Sequence, residues 1–289
     1  MNYNKKMYPI WILLALSLLY FIFYIIPILM GVFYSFTHWN IFSATYCGLY
    51  NYKSILTNTM LRLSIKNTFV FAILASFFKV FLGLILAIFL NRKIVAKNFL
   101  RTIYFSPAVI NNVAVAMIFT AILNPSRGIL NVFLRYLGLD FLAQNWLTDS
   151  QIALFSVIGI EVWKWSGFCM VIFIAGLQSI SSEYYEAAYI DGANSWKKFR
   201  YITFPLIMPS FNNVVIINII SGLKVFDIIY VTTRGGPGRV TNVVNIMVFE
   251  AFGSGRYGEA TAGNVLLSIM VGIVVAISYR ILRKNEVEV

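Results

Sequence analysis

The segment SEYYEAAYIDGANSWKKFRYITFPLIMP, residues 182–209, is polar and lies between long apolar stretches of the chain. Ser181 and Ser182 can cap a short helix, which we expect over residues 183–190 because Gly192 can close it in the left-handed conformation. A second, shorter helical segment should follow. Helices of this length are not stable alone, so the segment either lies on lipid or docks on a partner.

The chain as a whole is strongly apolar. Of its 289 residues, 60% are hydrophobic, 17% aromatic and 12% charged, and the mean hydropathy is +0.78. A water-soluble domain does not carry this composition, and the apolar stretches are too long for barrel strands. The predicted fold class is an all-α polytopic membrane protein, because each spanning segment must satisfy its own backbone hydrogen bonds. We expect one transmembrane domain, residues 1–289, with six transmembrane helices at about 10–34, 68–90, 104–123, 152–178, 211–231 and 262–282.

The distribution of Lys and Arg predicts the orientation in the membrane. Of the 23 residues, twelve lie close to helix ends on one side, eight lie in longer loops on the other side, and three lie within helices. Cytoplasmic loops retain these residues, so we expect both termini and residues 182–209 to be cytoplasmic. The first helix is too long for a signal-peptide core and is expected to stay as an anchor. The net charge of +12 then reflects orientation and contact with membrane lipid, and we expect no nucleic-acid partner.

Motifs of catalysis and metal binding are absent from the sequence. It contains no GxxxxGK[ST] phosphate loop, HExxH, GxSxG or Rossmann glycine pattern. Cys47 and Cys169 are separated by the predicted topology, and His38 beside Trp39 favours packing at a membrane edge over ligation. We therefore expect no catalytic residue, no metal and no cofactor in this chain, and any ATP must be hydrolysed by another chain.

Several motifs resemble those of one transporter family. Glu186-Ala187-Ala188 and then Asp191-Gly192-Ala193 resemble the EAA loop of binding-protein-dependent ABC importer permeases. The resemblance continues at Asn67-Thr68, Leu90-Asn91-Arg92-Lys93, Phe99-Leu100-Arg101-Thr102, Gly128-Ile129-Leu130-Asn131, Lys224-Val225-Phe226-Asp227, Thr232-Thr233-Arg234-Gly235-Gly236-Pro237-Gly238 and Tyr257-Gly258-Glu259-Ala260. Together these motifs resemble the carbohydrate-uptake permeases of the maltose, glycerol-3-phosphate and multiple-sugar type.

The resemblance implies an architecture, a set of partners and a mechanism. It implies a type I ABC importer permease in a bacterial cell membrane, forming half of a pathway for a sugar or oligosaccharide. The implied partners are a second homologous permease, in a heterodimer, two cytoplasmic ATPase subunits that bind ATP and Mg, and an extracytoplasmic solute-binding protein. ATP-driven closure of the ATPases would switch the pathway between its two openings. The residues implied in coupling to the ATPase are Glu186, Ala187, Ala188, Asp191, Gly192 and Ala193.

Five ionisable residues fall within the predicted membrane helices, namely Lys79, Glu161, Lys164, Lys224 and Asp227. Such residues are unfavourable in lipid and indicate function by default. Glu161 and Lys164 are three residues apart, as are Lys224 and Asp227, so each pair can neutralise itself on one helix face and simply hold the bundle together. Lys79 has no partner nearby in the sequence, so it snorkels, contacts a partner permease, or lies nearer the interface than predicted.

A sugar pathway is predicted on the fourth and fifth helices. Aromatic faces stack on sugar C–H groups, and nearby polar groups pair with hydroxyls. The residues predicted to line the pathway are Trp165, Gly167, Phe168, Asn218, Ser221 and Lys224. Core packing is the alternative role for each of them.

Gly235, Gly236 and Pro237 form a turn by their backbone chemistry. The family resemblance implies that this turn contacts the binding protein, although it needs no function as a plain loop.

Two other classes of function stay open at this point: an ion-gradient-driven secondary transporter, and a membrane enzyme acting on lipid or glycan. The sequence shows no internal repeat typical of the first and no convergent acid, base or nucleophile typical of the second. It does not identify the solute.

Overall fold

The computed structural model describes residues 10–92 and 94–283, and these are mostly helical. The helices before residue 150 are α1 (Ile10–Tyr20), α2 (Ile26–Tyr34), α3 (Tyr50–Thr57), α4 (Thr59–Leu90), α5 (Lys97–Val109), α6 (Asn112–Ile122) and α7 (Ile129–Tyr136). Those that follow are α8 (Ala153–Gln178), α9 (Ser182–Ile190), α10 (Ser195–Lys198), α11 (Phe204–Leu206), α12 (Met208–Leu223), α13 (Asp227–Thr232), α14 (Val244–Gly253) and α15 (Tyr257–Arg283). Strands β1 (Thr37–Trp39) and β2 (Ala44–Tyr46) form an antiparallel hairpin.

Within residues 10–92 and 94–283, four helical segments are long and apolar enough to cross a membrane: Leu13–Tyr34, Thr59–Leu90, Ala153–Gln178 and Tyr257–Leu282. The first joins α1 to α2 through a π-helical turn at Phe21–Ile25. Two further spans result if each bent helix pair counts as one: α5 with α6, bent by 98°, and Ser195–Leu206 with α12, bent by 66°. The described residues therefore confirm the all-α membrane fold class.

The predicted helix 104–123 is divided in two. Helix α5 begins earlier, at Lys97, and ends at Val109, because Ile110 takes an extended conformation. Pro107 lies in the last turn of α5 and has no N–H to donate, which weakens the helix at this point. The side chain of Asn111 then accepts a hydrogen bond from the Val113 N–H and caps the start of α6.

The predicted helix 211–231 is also divided. Helix α12 ends at Leu223, the backbone is outside the helical conformation at Lys224 and at Phe226, and α13 begins at Asp227. The acidic side chain of Asp227 suits the positive end of this short helix. The second predicted helix, 68–90, is longer than expected, since α4 begins at Thr59.

The chain forms two compact units, and the larger comprises Arg62–Ile246 and the described residues from Ile269 onward. Among the described residues, its core includes two clusters of buried apolar side chains, which come mainly from α4, α6, α8, α12, α13 and the start of α14. Glycines bring the helices close together. A Cβ on Gly222 of α12 would lie 2.7 Å from the Ala72 Cα of α4, and a Cβ on Gly167 of α8 would overlap the Tyr104 carbonyl oxygen of α5. Small residues at such contacts are typical of membrane helix packing.

The smaller unit comprises the described residues up to Leu61 together with Met247–Ser268. The Asn51 amide donates to the backbone oxygens of Ser35 and Thr37, at 2.9 and 2.8 Å, and so fixes the hairpin on α3. A cavity of about 390 Å³ lies in this unit, between the hairpin, α3 and the start of α15. His38 is exposed at its edge, and its ring meets that of Tyr50 at 4.8 Å, in keeping with a packing role.

Candidate functional site

The first candidate site is the polar segment that contains α9 and α10. The hydroxyl of Ser181 accepts a hydrogen bond from the Glu183 N–H, at 3.3 Å, and starts α9. Asn194 caps α10 in the same way, accepting from the Lys197 N–H at 2.9 Å. Helix α9 is held against the π-helical turn at Phe199–Thr203 by the hydroxyls of Tyr185 and Thr203, which are 3.1 Å apart.

The end of α9 is closed by two backbone hydrogen bonds around Gly192. The Ala193 N–H donates to the Ala188 oxygen at 2.9 Å, and the Gly192 N–H donates to the Tyr189 oxygen at 3.1 Å. This is the Schellman arrangement, which needs a left-handed residue after the helix. Gly192 supplies it with a φ of +70°. The local structure expected over 183–192 is therefore present.

The residues implied in coupling differ in exposure. Glu186, Ala187, Asp191 and Gly192 are exposed, Ala193 is half-buried, and Ala188 is buried. The structure adds three large side chains that the sequence analysis did not single out, and these are also exposed: Tyr189, Ile190 and Trp196. The sequence does contain a sign of these side chains, because large apolar residues are unusual in an otherwise polar segment.

The second candidate site is the set of ionisable groups inside the membrane segments. The Lys79 ammonium on α4 lies 3.4 Å from the Glu161 carboxylate on α8 and 3.4 Å from the Ser221 hydroxyl on α12. Lys79 is fully buried and Glu161 is 7% exposed. The expected pairing of Glu161 with Lys164 is therefore replaced by an ion pair between two helices, which also gives Lys79 its partner.

Lys164 makes a different contact. Its ammonium donates to the carbonyl oxygen of Ile110, where the chain bends between α5 and α6. The C-terminal end of a helix carries partial negative charge, so a buried cation is stabilised there. The same ammonium lies 4.9 Å from the centre of the Trp165 ring, which meets the Phe168 ring edge-on at 5.8 Å. Trp165 and Phe168, both predicted pathway residues, are half-buried beside this bend.

The breaks in the two divided helices lie close together. The amide of Asn112, at the start of α6, donates to the Asp227 carboxylate at the start of α13, at 3.2 Å. Asp227 therefore contacts α6, and no ion pair with Lys224 occurs among the described residues. The Lys224 side chain is exposed.

The remaining predicted pathway residues fall into two groups. Asn218 is buried, and its amide donates to the Cys169 sulfur at 3.2 Å and to the Val214 oxygen at 2.8 Å. Gly167 is likewise buried where α5 meets α8. Ser221, by contrast, is exposed. The structure thus places Asn218 and Gly167 in helix contacts and leaves Ser221 with Lys224 accessible.

The glycine-rich turn after α13 is pinned to α4. The Asn67 amide donates to the Asn242 backbone oxygen at 2.9 Å, and the Val244 N–H donates to the Thr68 hydroxyl at 3.1 Å. Of the three residues implied in binding-protein contact, Gly235 is buried, while Gly236 and Pro237 are half-buried. The exposed positions of the turn are Arg234, Gly238 and Arg239.

Comparison with known proteins decides the family. Residues 79–286 match the model of the family described as "Binding-protein-dependent transport system inner membrane component". The chain belongs to this family. One relative is the multiple sugar-binding transport system permease protein MsmF of Streptococcus mutans, which is 34% identical over 96% of both chains. The trehalose/maltose transport system permease protein MalF of Thermococcus litoralis is 32% identical over 94% of this chain and 92% of its own.

The fold agrees with this family. A chain of a bacterial alginate ABC transporter, solved in complex with an alginate pentasaccharide-bound periplasmic protein, superposes with a TM-score of 0.84. The alignment covers 95% of this chain and 94% of that one, at 24% sequence identity. The type I permease architecture expected from the sequence is confirmed.

Membership also confirms the kind of molecule. The relatives are permease subunits of ABC transporters, which agrees with the expectation that this chain is a permease rather than an enzyme. The chain is an inner-membrane component of a binding-protein-dependent transport system.

Proposed function

We propose that this permease forms half of the translocation pathway of an ATP-driven importer for a sugar or oligosaccharide. In this proposal two ATPase subunits, which bind ATP and Mg, dock on the segment of α9 and α10. A second homologous permease completes the pathway, and an extracytoplasmic binding protein delivers the solute. The observation that carries the proposal is the capped, exposed helix α9, which is too short to be stable without its surroundings.

The charge on α9 favours a protein partner over lipid. A helix that lies on a membrane has Lys and Arg on its polar face, because these attract anionic headgroups. Helix α9 has Glu183 and Glu186 and no basic residue, and Asp191 follows at its end. Exposed Ala187 gives the helix a low surface that a groove can contact closely, and exposed Tyr189 can fill an apolar pocket beside it.

The contacts around α9 provide a route from the docking segment to the membrane. Tyr185 ties α9 to the turn at Phe199–Thr203, and α11 and α12 follow that turn directly. Ile207, between α11 and α12, is buried among core side chains of α8. A displacement of α9 by a closing ATPase would therefore move α12, which carries Ser221 and Lys224, and open the pathway to one side and then the other.

The chemistry near the helix breaks suits a saccharide. Trp165 and Phe168 offer aromatic faces, while Ser221, Lys224 and Asp227 offer hydrogen-bonding groups. Sugars bind through this combination of stacking and hydrogen bonds. The names of the relatives MsmF and MalF, both sugar-system permeases, support the same class of solute.

The proposal further includes the orientation and the binding-protein contact. With both termini and α9 in the cytoplasm, the turn after α13 lies on the opposite side of the membrane. Its exposed residues Arg234, Gly238 and Arg239, next to Gly236 and Pro237, would then face the binding protein.

The test is a pull-down of the tagged permease in mild detergent, followed by mass spectrometry and an ATPase assay. Wild type is expected to recover an ATPase and a second permease, whereas Glu186→Lys should lose the ATPase and keep the permease. Asp140→Lys is the matched control, because it reverses the charge of another exposed acidic residue, far along the chain from α9. Recovery of ATPase by Glu186→Lys at the wild-type level would contradict docking on α9. Its absence from every sample would instead favour an ion-gradient-driven transporter.

A further inference from the structure

Helix α7 carries its apolar face outward. Its exposed apolar positions follow helical spacing and cover about 140° of the circumference at 100° per residue. They are Ile129 (73% exposed), Val132 (51%), Phe133 (56%), Tyr136 (87%) and Leu137 (52%). A surface helix in water has the opposite arrangement, with polar residues outward.

The orientation of α7 is fixed by its polar side. Asn131 is 1% exposed, and its amide donates to the backbone oxygens of Pro125 and Gln144, at 3.0 and 2.9 Å. Its side-chain oxygen accepts from the Trp146 indole N–H at 2.8 Å. With Asn131 held in this way, α7 cannot rotate its apolar face inward without leaving buried polar groups unpaired, which would cost about 1–3 kcal/mol for each group.

Helix α7 lies at the ends of two membrane segments. A Cβ on Gly128, the residue before α7, would overlap the carbonyl oxygen of Ile122, the last residue of α6. Leu130 of α7 packs against the core cluster that contains Leu154, in the first turn of α8. The apolar face is therefore at the level where both segments leave the membrane.

The neighbouring segments are also apolar on their exposed sides at this level. Ile118 on the last turns of α6 is 52% exposed, and Phe155 on the first turn of α8 is 55% exposed. Two exposed arginines flank this face: Arg127 precedes α7, and Arg135 lies in its last turn. Tyr and Arg with apolar side chains beside them are typical of the headgroup region, where a ring or an aliphatic stem contacts acyl chains and the polar tip stays in water.

We propose that α7 is an interfacial membrane helix whose face of Ile129, Val132, Phe133, Tyr136 and Leu137 lies on the lipid of the adjacent leaflet. The lipid would cover an apolar face that the described residues leave open. The helix would thereby hold the loop between α6 and α8 at the membrane surface, and with it the bend at which Lys164 is bound.

Spin labels placed around α7 test this proposal. Single cysteines are introduced as Phe133→Cys and Tyr136→Cys on the apolar face, with Arg135→Cys as the control on the polar side of the same helix. The background carries Cys47→Ser and Cys169→Ala. The permease, with the subunits that co-purify, is placed in lipid nanodiscs, and collision of each label with oxygen and with a water-soluble nickel chelate is measured.

Lipid contact predicts a higher ratio of oxygen to nickel collision at 133 and 136 than at 135. Equally low ratios at the three positions would show that the face lies in water and would overturn the proposal. Immobile labels at 133 and 136 with low collision for both reagents would also overturn it, because a second permease or a binding protein would then cover the face. None of these outcomes depends on whether an ATPase docks on α9.

Discussion

Lys79→Met should destabilise the permease strongly, because it leaves the Glu161 carboxylate buried without its partner. The two groups are 3.4 Å apart, with side-chain exposures of 1% and 9%. Removing one member of a buried ion pair costs about 3–5 kcal/mol. This corresponds to a change of roughly two to nearly four orders of magnitude in an unfolding equilibrium constant. The Ser221 hydroxyl also loses its contact with the Lys79 ammonium, but it still donates a hydrogen bond to the Asn218 backbone oxygen at 3.0 Å, so it is not left without a partner.

The double variant Lys79→Met, Glu161→Leu should recover most of this stability. Replacing both charges with apolar groups of similar volume is often neutral or stabilising, because neither charge then has to be desolvated. We therefore expect the double variant to lie within about 1 kcal/mol of wild type. The coupling energy should then be close to the sum of the losses measured for Lys79→Met alone and for Glu161→Leu alone.

The assay is unfolding of the intact complex in mixed micelles by increasing denaturing detergent, followed by tryptophan fluorescence. Lys224→Met is the matched control. It removes a lysine that is exposed and makes no ion pair within the described part of the chain, so its effect should stay within about 0.5 kcal/mol. Losses that simply add in the double variant would refute the pairing of Lys79 with Glu161.

Two further predictions concern the docking segment and the pathway. Gly192→Pro should uncouple ATP hydrolysis from solute uptake while the protein remains in the membrane. Proline cannot adopt the φ of +70° and lacks the N–H that donates to the Tyr189 carbonyl oxygen. Normal uptake in proteoliposomes would contradict this prediction. Trp165→Ala should raise the solute concentration needed for half-maximal uptake and leave ATPase association unchanged, as measured by uptake kinetics beside a pull-down; loss of assembly would instead indicate that Trp165 packs the helices.

Features that depend on neighbouring residues were predictable from the sequence. The cap at Ser181 and the closure at Gly192 follow from side chains and backbone within a few residues, and both are present. The bend at Ile110 was missed although Pro107 and Asn111 stood in the sequence, since an apolar stretch of the right length favours one continuous helix. Proline near a helix end and asparagine as a cap were the available signals.

The partner of Glu161 was not predictable in this way. Spacing along one helix favours Lys164, three residues away, but the carboxylate pairs with Lys79, which is 82 residues distant. Which faces of α4 and α8 meet depends on close contacts such as that of Gly83 with Cys169, where a Cβ would lie 2.5 Å from the Cys169 Cβ. The spacing of residues along one helix gives no information on how that helix is aligned with another, so it cannot show which of the two lysines pairs with Glu161.

Burial separates the polar groups that hold the bundle from those that are free to meet a solute. Lys79, Glu161 and Asn218 are enclosed in contacts between helices. The exposed positions of α12 are Pro209, Asn213, Ile217 and Ser221, followed by Lys224 just beyond its end, and they share one side of the helix at spacings of three or four residues. Lipid is a poor neighbour for a side that carries an amide, a hydroxyl and an ammonium, because each would lose hydrogen bonds to water there. We therefore expect this side of α12 to line the pathway, so that Asn213 joins the predicted pathway residues Ser221 and Lys224.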